Sequence, residues 1–393
     1  MSDRTLRGRT MVAGIGESTY YKRGQSPEPE FKLVLQAILN ACQDANIDPK
    51  AVDGFCSFSN DRSDPSRIAA ALGTHELRYS NMNWGGGGGG ASAAVSNAAM
   101  AVATGMADCV VAFRGLAQGQ FGRFGQGARV NTIRGAMAYT LPYGLMSPAQ
   151  MFAMRVIRVM HEHGIEQPAL RAVALAAYHH AQSNPRAVMQ GRPLTEEKYE
   201  DSRWIVEPFH LFDCCQENDG AAAIIIVSAE RASEFPHKPA YILGAAQGSE
   251  HRAGAPVHNN PDYATSTFKT LAPRMYEMAG VKPEDVDVLQ SYENFTGGVV
   301  MSVIEHGLCS YEEANEFFTP ENLMAPGGKL PLNTSGGNLA ECYMHGLGLN
   351  LEAVRQIRGD SPNQLPKVDV SMVTAGPMVT PVSNIIFGSE NTL

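Results

Sequence analysis

The 393-residue chain reads as an α/β protein built from two similar halves. Three observations predict this. Strand-like segments alternate with helix-length segments, the pattern of packed α/β layers. Five segment pairs recur in the same order along the two halves. A run of six glycines, Gly85 to Gly90, opens a long alanine-rich helix in the first half.

The first half starts on the strand Met11-Val12-Ala13-Gly14-Ile15-Gly16-Glu17-Ser18, and the second on a like strand over 241–249. Each then runs through a helix-length segment to a matching turn, 46–53 and 280–287, with Pro and Val-Asp at the same spacing. An apolar or aromatic strand follows, 54–58 and 288–292. The next pair is 107–113 with 368–374, and each half closes on an apolar strand, 223–227 and 383–387. These pairs set an N-terminal half over 1–235 and a C-terminal half over 236–393. The first half is longer because of an insertion over about 115–212, rich in Arg, Met, His and Gly, read as a loop domain.

The glycine run gives up backbone order, so its surroundings must need a bare main chain. Glycines ahead of a helix can turn N–H groups toward an anion or oxyanion. They also permit close backbone packing. The run lacks the fixed spacing of a nucleotide fingerprint, so both readings stand.

Hydrophobic residues make up 44% of the chain and charged residues 18%, enough for a large core. The net charge of -9 argues against general nucleic-acid binding. Arg114, Arg123, Arg129 and Arg134 form a local basic stretch suited to a phosphorylated ligand, and equally to a substrate loop or a subunit contact. No apolar run reaches membrane-spanning length, and the N-terminus has no secretory apolar segment. The seven cysteines are odd in number and lack C-x-x-C spacing. A reduced, cytoplasmic setting is expected. His161-Glu162-His163 and His179-His180 lack the spacing that puts two metal ligands on one helix face, so packing or solvated roles are expected. Arg155 and Arg158 read as a charged helix face, and Cys214-Cys215 as packing residues ahead of a strand.

Two segments carry a family resemblance. Asp213-Cys214-Cys215-Gln216-Glu217-Asn218-Asp219-Gly220 looks like the approach to the last N-terminal strand in the sterol-carrier-protein-type branch of the thiolase superfamily. Asn333-Thr334-Ser335-Gly336-Gly337 looks like its Asn-Pro-Ser-Gly-Gly loop. The resemblance covers nearly the whole chain and implies a thiolase-like duplicated fold, with the two halves forming a layered αβαβα core. The family's catalytic residues are replaced, however. The glycine run stands where a nucleophilic Cys opens a helix. Tyr292, in Tyr292-Glu293-Asn294-Phe295, stands where the family has His or Asn. Tyr343 stands where it has the His of a Gly-His-Pro motif. Thr374-Ala375-Gly376-Pro377-Met378 has no second Cys.

Without either Cys the family's acyl-enzyme route is closed. The pattern resembles thiolase-like retro-aldolases acting on steroid side-chain CoA thioesters. It implies Tyr292 and Tyr343 as an acid–base pair, with His345 and Asn294 supporting them. It implies Gly86, Gly87, Gly88 and Gly337 as thioester-oxygen donors, and Arg114, Arg123 and Arg129 as contacts for CoA phosphates. The expected reaction converts a 17-hydroxy steroid side-chain CoA to a 17-keto steroid and propionyl-CoA. No cofactor or metal is expected in this chain. Expected partners are a second copy, paired through the sheets, and a small acyl-CoA-binding protein with an OB-fold and a zinc ribbon, the only place zinc is expected. Two alternatives remain open: thiolase-type acyl transfer with a displaced Cys such as Cys342, and a non-catalytic acyl-CoA or lipid carrier.

Overall fold

The computed structural model describes residues 5–121, 132–251 and 262–393. The first half supplies β1 (Thr10–Glu17), α1 (Glu30–Ala45), β2 (Gly54–Phe58), β3 (Tyr79–Asn83), α2 (Ala91–Ala103) and β4 (Cys109–Ala117). After the insertion, with α3 (Pro148–His163) and α4 (Gln167–Ser183), comes β5 (Asn218–Ser228). The second half supplies β6 (Ala240–Gly248), α5 (Leu271–Ala279), β7 (Val288–Ser291), α6 (Thr296–Glu305), α7 (Leu347–Arg358), β8 (Val370–Ala375) and β9 (Val382–Gly388).

Strand order shows the duplication directly. The first half runs β3-β2-β4-β5-β1 and the second β7-β8-β9-β6. In the first, β1–β5 and β5–β4 are antiparallel and β4–β2 parallel. In the second, β6–β9 and β9–β8 are antiparallel and β8–β7 parallel. Leu332 bridges Leu289 in parallel, in the place β3 fills in the first half. The two sheets join only at Met11↔Tyr241 and Val12↔Ala240.

Helices α2 and α7 touch each other and strands of both halves, so they form the central layer. α1 covers β1, β5 and β4, and α5 covers β6 and β9, as the two outer layers. Sequence explains this order. Ala-Ala-Ala-Ile-Ile-Ile-Val on β5 is buried throughout, as expected for a strand covered on both faces. α2 is made almost wholly of small residues, and eleven of its thirteen are buried. That lets two sheets close on one helix.

The strand ending at Ala117 runs past position 115, so the insertion leaves the sheet slightly later than expected. It carries two long helices rather than loops alone. Ser147 caps α3 through a capping box with Gln150. α4 packs on α6 and on residues 337–341, which brings the insertion against the second half.

Candidate active site

Tyr292 and Tyr343 reach one point from two separate segments. Tyr292 follows β7, and its N–H donates to the Thr374 carbonyl of β8 at 2.9 Å. Tyr343 lies just beyond a single π-helical turn, Gly337–Glu341, and its N–H donates to Asn218 Oδ1 at 2.8 Å. Such turns often mark functional sites. The two phenol oxygens meet at 2.6 Å, with the rings crossing at 63°. Tyr292 is 2% exposed and Tyr343 5%. Burial pushes both phenols well above their ordinary range, while nearby Arg114 pulls the other way.

The glycine run is shaped by this pair. A Cβ at Gly88 would overlap the Tyr292 ring, and so would one at Gly346 from the other side. Gly89 lies against the Pro381 carbonyl and Gly90 against Phe58. Gly87, at φ +48°, has open space where a Cβ would stand. Residues 87–90 form a short tight turn that runs straight into α2.

Several expectations change here. The Gly86 N–H is taken up by the Thr380 carbonyl at 3.3 Å, so it is not free to serve as the expected thioester-oxygen donor. Gly337 clears space for the Glu293 carboxyl, and its N–H turns toward Ser335 Oγ at 3.4 Å. Arg114 is not placed to meet a CoA phosphate. Its side chain is 2% exposed and bonds the Phe58 carbonyl (2.7 Å), the Ser59 carbonyl (3.1 Å), Asp61 Oδ2 (3.1 Å) and His345 Nδ1 (2.9 Å). Arg123 and Arg129 lie outside the described residues.

His345 does sit beside the pair, its ring edge-on to Tyr343 at 5.3 Å between centroids. Burial, then the Arg114 and Arg62 charges, hold it well below the usual imidazole range, so it is neutral. Asn294 acts at one remove: Oδ1 accepts from the Phe295 N–H (2.8 Å), Nδ2 donates to the Pro377 carbonyl (3.3 Å), and its own carbonyl accepts from the Cys215 N–H (3.1 Å). It ties three chain segments together behind Tyr292.

Three residues have a place at the site that the sequence reading did not give them. Glu293 is fully buried, accepts from the Asn338 N–H at 3.0 Å, and is pushed up to about 7 by burial. Its adjacency to Tyr292 was the available signal. Asp61 lies 53 positions from Arg114 and gave no local signal. Cys215 hydrogen-bonds Tyr343, and burial pushes its thiol up to about 12. Burial raises the Cys342 thiol well above its ordinary range too.

The histidine pairs have other work. His180 accepts from the Ala325 N–H at Nε2 (2.8 Å) and donates from Nδ1 to the Asn333 carbonyl (3.2 Å), anchoring the 333–337 loop. His163 stacks on Tyr311. Glu162 pairs with Arg158. Arg155 is buried and bonds the Thr265 and Met378 carbonyls, so only Arg158 belongs to a charged face.

A duplicated five-layer fold of this kind is the architecture of the thiolases. Residues 246–389 match the family model described as thiolase C-terminal domain-like. A steroid side-chain-cleaving aldolase of Thermomonospora curvata is 40% identical, over 98% of this chain and 99% of that protein. The 17-hydroxy-3-oxo-4-pregnene-20-carboxyl-CoA lyase of Mycobacterium tuberculosis is 38% identical, over 98% of this chain and 100% of that protein. The solved structure of an Ltp2-ChsH2(DUF35) aldolase superposes with a TM-score of 0.90 at 39% identity, covering 98% of this chain and 99% of that one. The chain belongs to the thiolase-like family of sterol-carrier-protein type, alongside these side-chain-cleaving aldolases.

Proposed function

We propose that the protein is a carbon–carbon lyase that splits the side chain of a 17-hydroxy steroid CoA thioester by retro-aldol chemistry. The observation that carries this reading is the buried 2.6 Å bond between Tyr292 and Tyr343, with no side chain on Gly88 between them and α2. A base takes the proton of the tertiary hydroxyl, the C17–C20 bond breaks, and its electron pair passes to the thioester enolate. Protonation of that carbon gives propionyl-CoA, and the steroid keeps a 17-ketone. Burial disfavours a standing phenolate at either tyrosine. A relay meets that constraint: one phenol takes the hydroxyl proton while passing its own across the 2.6 Å bond to the other, which gives its proton to carbon, so both end as neutral phenols. Gly87 and Gly88 are the proposed N–H donors to the thioester oxygen.

Thiolase-type acyl transfer fits less well, because burial holds Cys215 and Cys342 as thiols rather than thiolates. The partner proposal is a small OB-fold, zinc-ribbon protein that binds the acyl-CoA. That there is a partner is supported by the similar Ltp2-ChsH2(DUF35) aldolase; its OB-fold and zinc ribbon are what the family resemblance implies. A homodimer paired through β3 is also proposed, since that strand is the outer one of its sheet and alternates between half-buried and exposed positions. Arg123 and Arg129 remain proposed phosphate contacts. A cytoplasmic setting accords with seven unpaired cysteines. Among the described residues no helix is long and apolar enough to cross a membrane.

The test is incubation with 17-hydroxy-3-oxo-4-pregnene-20-carboxyl-CoA, with the small partner present, followed by mass spectrometry. Propionyl-CoA and a 17-keto steroid are expected in equal amounts. Intact substrate at the end would point to a carrier, and CoA-dependent thiolysis products to acyl transfer.

A further inference from the structure

The Asp61–Arg114–His345 chain has no counterpart in the chemistry derived so far. The geometry points to Arg114, anchored by Asp61, as a positioning residue that fixes His345 in the tautomer with its proton on Nε2, making it a permanent N–H donor beside the tyrosine pair. The catalytic consequence rests on the retro-aldol reading; the tautomer does not.

Arg114 Nη2 lies 2.9 Å from His345 Nδ1. A guanidinium has only donors, so Nδ1 must offer its lone pair and the ring proton must sit on Nε2. Arg114 cannot swing away, because Nη1 is held by the Phe58 and Ser59 carbonyls and by Asp61, all in a buried pocket. Asp61 also accepts from the Ser63 N–H at 2.8 Å, which keeps it aimed. The groups facing the imidazole are Arg114 of β4, Arg62 ahead of the helix at 65–72, and Tyr343. Behind Arg114 stand Asp61 and Glu30. Protonating His345 would set an N–H against the Arg114 guanidinium N–H, with the Arg62 charge also nearby.

The backbone is arranged for the same end. His345 sits at φ +48°, uncommon for a residue with a side chain, and Gly346 follows at φ +80°. Strain of this kind survives where the surroundings enforce it and is concentrated at functional sites. Phe58 packs on the other side of the ring, 6.4 Å between centroids. The device therefore converts a titratable side chain into one that donates a hydrogen bond at every working pH.

Nitrogen NMR of the full-length protein, with histidine imidazoles labelled with 15N, tests this without substrate. His345→Gln identifies the signal by its loss. A neutral ring protonated at Nε2, with no titration down to pH 5, is expected. A ring protonated at Nδ1, or one titrating near ~6.5, overturns the inference. Activity supplies a second arm. His345→Phe is expected to lower kcat by about 10²–10³-fold, the usual loss on deleting one pre-aimed donor, with KM changed little. His345→Gln, which keeps an N–H near the Nε2 position, recovers most of that loss. Equal loss in both variants overturns the donor role. Full activity in Tyr292→Phe would instead overturn the retro-aldol reading and leave the NMR result standing.

Discussion

The hydroxyls of Tyr292 and Tyr343 lie 2.6 Å apart although the residues are separated by 51 positions in the chain. The bond gives each phenol a partner in a buried setting, where an unsatisfied hydroxyl carries a desolvation cost of about 1–3 kcal/mol. Replacing either with Phe removes one oxygen and keeps the ring, which for Tyr292 packs on Gly88 and Gly346. Tyr292→Phe and Tyr343→Phe should each lose about 10²–10⁴-fold in kcat, the range for a general acid or base. Circular dichroism should stay unchanged. Near-normal turnover in either variant would remove the pair from the mechanism.

Gly88 makes a sharper prediction about why the nucleophile position is empty. A Cβ there would overlap the Tyr292 ring. Gly88→Ala should displace that ring, lower activity at least as much as Tyr292→Phe, and cost about 1–3 kcal/mol as overpacking does. Gly88→Cys should fail in the same way and gain no thiolysis. Gly87→Ala has room but sits at φ +48°, so it should cost about 1 kcal/mol or more and spare the site. Denaturant melts and kcat for the three variants decide this. An active, stable Gly88→Ala would mean the ring has slack.

The fold was legible because it is written twice. The Pro and Val-Asp turns at 46–53 and 280–287, and the strands that follow them, exposed the repeat, and strand order matches it pair by pair. The tyrosine pair was readable only through the family motifs around it. Arg114 was misread because a sequence shows an arginine among glycines but not the β2 carbonyls and Asp61 that close over it. Glu293 and Asp61 were missed for the same reason: burial, not residue type, gives them their properties. Gly337 was misread because a loop motif does not show which side chain its bare backbone must clear.

Glu293 should leave a mark on stability against pH. Its folded-state value of about 7 lies above its ordinary 4.5, so the folded protein holds this proton more tightly than the unfolded chain does. The contribution is fully present below pH ~4.5 and is lost as pH rises through ~7, a swing on the order of 3 kcal/mol. His306, held down to about 4 by burial, has the opposite sign: its contribution is present above pH ~6.5 and lost as pH falls to ~4. Urea unfolding between pH 5 and 8 should therefore show a steeper rise of stability with pH in Glu293→Gln than in the parent. Identical slopes would mean that Glu293 ionises normally.

Thiol chemistry separates the lyase from a cysteine enzyme. Cys215 touches Tyr343, so a modified Cys215 would crowd the pair, and its position alone would make it suspect as a nucleophile. Burial, though, raises that thiol to about 12, with the Glu293 and Glu217 charges adding to the rise. At pH 7.5 the thiolate is then present at about one part in 10⁴ or less, and alkylation requires the thiolate. Brief treatment with iodoacetamide at pH 7.5 should leave lyase activity intact and both Cys215 and Cys342 unlabelled by peptide mass spectrometry. Cys215→Ser keeps a small hydroxyl beside Tyr343, and should retain activity within about tenfold, since it changes a neighbour of the relay and not a member. Cys342→Ala should do the same. Rapid inactivation that tracks labelling of either thiol, together with a dead Cys→Ser or Cys→Ala variant, would make that cysteine the nucleophile and return the protein to acyl transfer.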